Sequence, residues 1–143
     1  EDGRVLYELR PGDDNVRSIA VSPCLTRLAT VGATTAFLWD PATGRQLMRT
    51  NVGISWVHGV SLSEGGERMF IVALSSGKEH RADKVIVFST AEMVHEFAIN
   101  MVSPILAVQA LPSTGRLVIF CEDATVVAEA STGAKLLTLE ASE

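Results

Sequence analysis

The feature that most constrains this chain is an internal repeat. Three times an arginine opens an apolar run directly after a tight turn. These are Arg27 in "SPCLTRLAT", Arg68 in "LSEGGERMF" and Arg116 in "LPSTGRLVI", spaced 41 and 48 residues apart. A second marker travels with them, the turn that closes each unit: Gly44 in "PATGRQLM", Ala91 in "STAEMVHEF" and Gly133 in "ASTGAKLL", spaced 47 and 42. Both markers cover 89 residues from first to third unit, so those two units share one register throughout. The second carries six extra residues, which fall in "SSGKEHRADK" at 75–84. A fourth echo, "DGRVLYEL" at 2–9, matches only a closing strand.

Within each unit the apolar residues come in short runs rich in Val, Ile, Leu and Phe, such as "RMFIVAL", "KVIVF", "RLVIF" and "TVVAEA". Turn residues bound these runs, and no stretch keeps the 3.6-residue period of a helix, so the chain reads as all-β. Four strands are expected per unit. They are Val16–Ser22, Arg27–Val31, Thr35–Asp40 and Arg45–Thr50 in the first, and Val57–Ser63, Arg68–Leu74, Lys84–Ser89 and Met93–Ala98 in the second. The third has Ile105–Leu111, Arg116–Cys121, Thr125–Ala130 and Lys135–Glu140. Four strands in a period of about 40–45 residues describe the antiparallel blade of a β-propeller. The expected division is a closing strand of a preceding blade at 1–10, then blades at 11–51, 52–100 with its insertion at 75–84, and 101–143. A blade has two apolar faces and must stack between neighbours. That explains an apolar content of 47% and a mean hydropathy of +0.25.

The stretch "VRSIAVSPCLTRLATVGATTAFLWDPATGRQL" resembles a WD40 repeat almost position by position. It has the first strand, a Ser-Pro turn, the second strand, a third strand ending in Trp39-Asp40, and a Thr-Gly turn. Phe88-Ser89 and Ala128-Glu129 take the place of the Trp-Asp pair in the other units, so the chain resembles a divergent member. The resemblance implies a buried hydrogen-bond chain of histidine, Ser or Thr, Asp and Trp. Thr30 and Trp39 match it in the first unit, while Asp83 and Asp123 match its turn aspartate in the second and third. No histidine precedes any first strand. Trp39, Asp40, Thr30, Asp83 and Asp123 are thus expected to be structural. Three blades and one strand do not close a ring, and propellers of this kind have four to eight blades. A longer chain is expected to supply the rest, in preference to association of copies. The quinoprotein-type propeller is the alternative resemblance, on "EASTGAKLLTL" at 129–139, and it implies part of an oxidoreductase or a periplasmic scaffold; the alternative function is a propeller-based enzyme, a quinoprotein-like oxidoreductase or a hydrolase.

Enzyme motifs do not survive inspection. "SSGKE" lacks the first glycine and the hydroxyl of a phosphate-binding loop, because Val72 and Glu79 stand there. "GISWV" lacks the closing glycine of a nucleophile elbow, where Val57 stands. His58, His80 and His95 fall on separate segments. His80 with Glu79 and Asp83 reads as a solvated loop tip rather than a metal site. No catalysis, cofactor or metal is expected. A net charge of −5 without a basic cluster argues against direct nucleic-acid binding. No apolar run reaches the roughly 18 residues of a membrane helix. Cys24 and Cys121 show no metal or redox spacing and suit an intracellular, cytoplasmic setting.

The expected role is a non-catalytic scaffold that binds other proteins and the remaining blades of its own chain. The resemblance implies that partners dock on the rim where connections leave the last strand of one blade and join the second and third strands of a blade. On that rim the sequence places Asn15, Trp56 and Pro104 just before first strands, with Lys78, His80 and Arg81 in the insertion. Trp56 leads these candidates, since an indole supplies large contact area at low entropic cost. Cys24-Leu25 marks the opposite face.

Overall fold

The computed structural model describes residues 3–6, 8–12, 15–52, 57–73, 83–92 and 94–140. Its strands form three separate antiparallel sheets, each of four strands in simple sequential order. The first sheet holds β1 (Ser18–Val21), β2 (Leu28–Val31), β3 (Thr35–Trp39) and β4 (Gln46–Asn51). The second holds β5 (Val57–Leu62), β6 (Arg68–Ala73), β7 (Lys84–Ser89) and β8 (Val94–Asn100). The third holds β9 (Ile105–Leu111), β10 (Arg116–Cys121), β11 (Ala124–Glu129) and β12 (Lys135–Glu140). The strand reading of the sequence holds to within a few residues. The exception is Arg4–Leu9, whose described residues join no ladder. A strand exists only beside a partner strand, and among the described residues none pairs with this segment.

The hydrophobic pattern explains the stacking. In β6 and β7 nearly every residue is buried, from Met69 to Ala73 and from Val85 to Ser89. Alternate residues of those strands point to opposite faces. Met69, Ile71, Ile86 and Phe88 pack on Ala29, Val31, Leu38 and Met48 of the first sheet. Phe70, Val72, Val85 and Val87 pack on Val108, Leu117, Ile119 and Val126 of the third. The second sheet is therefore covered on both sides, which is why "RMFIVA" and "KVIVFS" are unbroken apolar runs. In the third sheet β10 alternates between buried and exposed positions, because only one of its faces has a neighbour. Its other face carries Val118, Phe120, Val127, Leu137 and Leu139 in cross-strand register. Phe120 is 41% exposed, Leu137 51% and Leu139 55%.

Polar groups join the sheets. The buried Ser61 hydroxyl oxygen accepts the Ala110 amide at 3.0 Å. The Lys135 ammonium donates to the Asn100 carbonyl at 3.1 Å. At the turns after β1 and β5, the Ser22 and Ser63 hydroxyl oxygens accept the Arg27 and Arg68 amides at 3.0 and 2.9 Å. The turn after β5 needs a glycine. Gly66 has φ +79°, and a β-carbon there would lie 2.5 Å from Cγ of Arg27 on the first sheet. Gly66→Ala is expected to cost about 1–3 kcal/mol, from left-handed strain and that clash together. Urea denaturation of the two proteins measures it.

Candidate interaction surfaces

Antiparallel order puts the connections of each sheet on two opposite rims. One rim gathers the turns between second and third strands and the connections from sheet to sheet. The other gathers the first-to-second and third-to-fourth turns. The first of these is the rim on which the sequence placed its partner-binding candidates.

On that rim the connections are tied down by backbone hydrogen bonds. The Val52 amide donates to the Thr34 carbonyl at 2.8 Å, the Met101 amide to Asp83 at 2.8 Å, and the Glu122 amide to Pro104 at 3.1 Å. Asn15 is exposed ahead of β1, and Pro104 is half-buried ahead of β9. Trp56, Lys78, His80 and Arg81 lie outside the described residues. The structure adds a residue that the sequence reading passed over. Val102, between β8 and β9, is fully exposed, while Met101 beside it packs against the core. Its signal in the sequence was a valine in a turn ending in proline, "NMVSP".

The residues expected to be structural sit as follows. Trp39 alternates with core-facing Leu38 and so faces away from the second sheet. Its indole N–H donates to the Thr30 hydroxyl at 2.9 Å in a buried setting. Its ring stacks on Phe37, centroids 5.5 Å apart and planes 17° from parallel. The Arg49 guanidinium in turn lies over Phe37, with Cζ 5.7 Å from the ring centre. Asp40 closes its turn by accepting the Ala42 amide at 2.9 Å. Asp83 bonds through its backbone, donating to the Ala73 carbonyl and accepting from Met101. Asp123 is exposed in the turn between β10 and β11. Of the polar residues on the first strand of each sheet, the inner strand of a blade, His58 is exposed, and the Gln109 amide donates to its neighbour's carbonyl at 3.2 Å. Among the described residues no three His, Cys, Asp or Glu side chains converge to hold a metal.

The opposite rim holds a chain of turn-to-turn contacts. The Cys24 amide of the first sheet donates to the Glu64 carbonyl of the second at 3.1 Å. The Glu64 carboxylate accepts the Ser113 amide and hydroxyl of the third, at 2.8 and 3.0 Å. Between the second and third sheets this rim opens into a cleft of about 750 Å³. Cys24 itself is exposed, and hydrogen bonds from the Thr26 and then the Ser22 hydroxyl hold its thiol below the ordinary range. Burial, and after it the nearby Asp123 carboxylate, push the Cys121 thiol above that range. Thiolate is the reacting form. Iodoacetamide is therefore expected to modify Cys24 at least about tenfold faster than Cys121 in the folded protein. The pH midpoint of the Cys24 reaction should fall below that of a free thiol. Peptide mapping by mass spectrometry follows both sites.

No protein-family model and no curated protein matches the chain. Solved structures do. The WD40 repeats of RRP9 superpose with a TM-score of 0.75 at 13% identity, over 93% of this chain and 41% of that one. U3-55K gives a TM-score of 0.76 at 13% identity, over 94% and 42%. The fold is that of WD40-type propeller blades. Each sheet is one blade, and the chain spans about two fifths of the length of the propeller structures it matches. Hydrazine synthase of Kuenenia stuttgartiensis also superposes, with a TM-score of 0.75 at 14% identity, over 99% of this chain and 40% of that one. The same blade arrangement therefore also occurs in an enzyme. The described residues contain no helix long and apolar enough to cross a membrane.

Proposed function

We propose that this chain is part of a non-catalytic protein-interaction scaffold, three consecutive blades of a larger propeller. A further blade of the same protein covers the outer face of the third. The apolar row of Phe120, Val127 and Leu137 supports that reading, because it has the character of the faces already stacked inside the chain. Protein partners dock on the rim of the inter-blade connections. One observation carries this: Val102 is held wholly in solvent on a connection fixed on both sides by backbone hydrogen bonds. A rigid exposed apolar group loses little entropy on being covered. Asn15 and Pro104 occupy the same rim, and Trp56, Lys78, His80 and Arg81 are assigned to it from the repeat. The two free thiols suit a reducing, intracellular setting.

Affinity capture followed by quantitative mass spectrometry tests the rim. Val102→Asp and Trp56→Ala should each lower recovery of a defined set of partners by about tenfold or more, as expected for loss of an interface anchor. Thermal stability should stay close to that of the parent. Unchanged recovery in both variants would overturn the assignment. In a Trp39→Phe background the emission of Trp56 alone should change when a captured partner is added.

The second reading, a propeller-borne enzyme, draws on the likeness to hydrazine synthase, which is one of fold alone. It requires polar side chains converging on the inner strands. There the chain offers Arg17, His58 and Gln109, one from each blade.

A further inference from the structure

The cleft on the opposite rim lies between two blades that are both present, so its walls do not depend on what covers the outer faces. Phe70, Ala110 and Ala130 form a buried apolar floor, and Leu136, 51% exposed, forms one wall. Glu64 and Glu67 stand along the other side, with Arg68 between the cleft and Glu96. Arg68 and Glu96 form an ion pair at 2.8 Å, about one third and one quarter exposed. Arg116 and Glu129, which also line the cleft, are opposite each other on β10 and β11 and offset in charge. Glu96 lies outside the lining and engages Arg68, which leaves Glu64 and Glu67 as the carboxylates of the lining without an opposing cation.

The hydrogen bonding fixes those carboxylates in place. Both Glu64 oxygens are held by Ser113. Glu67 accepts the Ser63 hydroxyl at 2.9 Å. Its own backbone amide and that hydroxyl keep the Glu67 carboxyl below its ordinary range, so it is ionised at neutral pH.

We propose that this cleft is a second docking groove, which takes an extended segment of a partner protein carrying an apolar side chain next to a lysine or arginine. The apolar side chain covers Leu136 and the Phe70 floor. The cation meets Glu64 and Glu67, where the groove has uncompensated negative charge. An acidic segment is disfavoured there by like charge. This site is separate from the rim of Val102, and its partner need not be the same.

The test is selection of a displayed dodecapeptide library on the full-length protein, followed by fluorescence anisotropy of the enriched peptides. Enriched sequences should pair an apolar residue with an adjacent Lys or Arg. Leu136→Asp, at a half-exposed position, should weaken their binding about tenfold or more while leaving the thermal midpoint unchanged. Glu64→Gln and Glu67→Gln should each weaken it about threefold, less at high salt. Val102→Asp should leave these peptides bound, which separates this groove from the rim. The proposal is overturned if no enriched peptide depends on Leu136, or if the Leu136-dependent peptides are acidic. It is also overturned if neither glutamine variant alters affinity.

Discussion

Trp39→Ala is expected to lower the stability of the protein by about 3–5 kcal/mol, the usual cost of truncating a buried tryptophan. Three losses combine in it. The stacked contact with Phe37 disappears, a cavity opens at a site only 4% exposed, and the Thr30 hydroxyl loses its indole donor. Thr30→Val separates the last term and should cost about 1–2 kcal/mol, the range for leaving a buried donor unpaired. Binding should fall only in proportion to folding. A Trp39→Ala protein that melts like the parent yet loses a ligand would show that this tryptophan belongs to a site. Trp39 and Asp40 stand where the register puts Phe88-Ser89 and Ala128-Glu129. A reactive pair would not recur at the end of each third strand with its chemistry removed.

Phe70→Ala should be as damaging, about 3–5 kcal/mol, for a different reason. Phe70 is fully buried on β6, in the sheet that is covered on both faces. Neighbouring strands there cannot collapse into the gap without disturbing the packing on the other side. Phe120→Ala on the outer face of the third blade is the contrast. In this chain taken alone its ring is 41% exposed, and the loss should stay within about 1 kcal/mol. If a further blade covers that face in the full-length protein, the same substitution should cost about 2–4 kcal/mol there. Chemical denaturation of both forms compares the two values.

Much of this fold was legible because a propeller is built from local hairpins, and turn chemistry marks local hairpins well. The serines before Arg27 and Arg68 were visible as turn residues. They proved to be caps on the amides of those arginines. The unbroken runs at 68–73 and 84–89 read as strands, and the structure places them in the sheet buried on both sides. The pairing of Thr30 with Trp39 followed from the resemblance and is present as a hydrogen bond. The closing strand at 4–9 rests on its sequence pattern alone, and its described residues join no ladder.

What the sequence hid was everything that arises between blades. Nothing in "SEGGE" shows that Glu64 grips the turn holding Ser113, 49 residues away, or that Gly66 seats against Arg27. The cleft is lined by residues of two blades that lie far apart in the sequence. Val102 looked like one more apolar residue in a β-rich chain. Its exposure follows from the course of the connection, which buries Met101 and turns the next side chain outward. The opposite rim therefore drew no attention beyond Cys24-Leu25, although it contains the cleft of about 750 Å³.

The claim on which the rest depends is that the propeller continues beyond the outer face of the third blade. Thiol labelling of a Leu137→Cys variant in the full-length native protein tests it, with the two natural cysteines as internal standards. Leu137 is 51% exposed on the uncovered face, Cys24 is exposed, and Cys121 is 8% exposed. With a further blade stacked on the third, Cys at 137 should react with maleimide as slowly as Cys121. A rate matching that of Cys24 would mean that the face is open to solvent, and would contradict the propeller account.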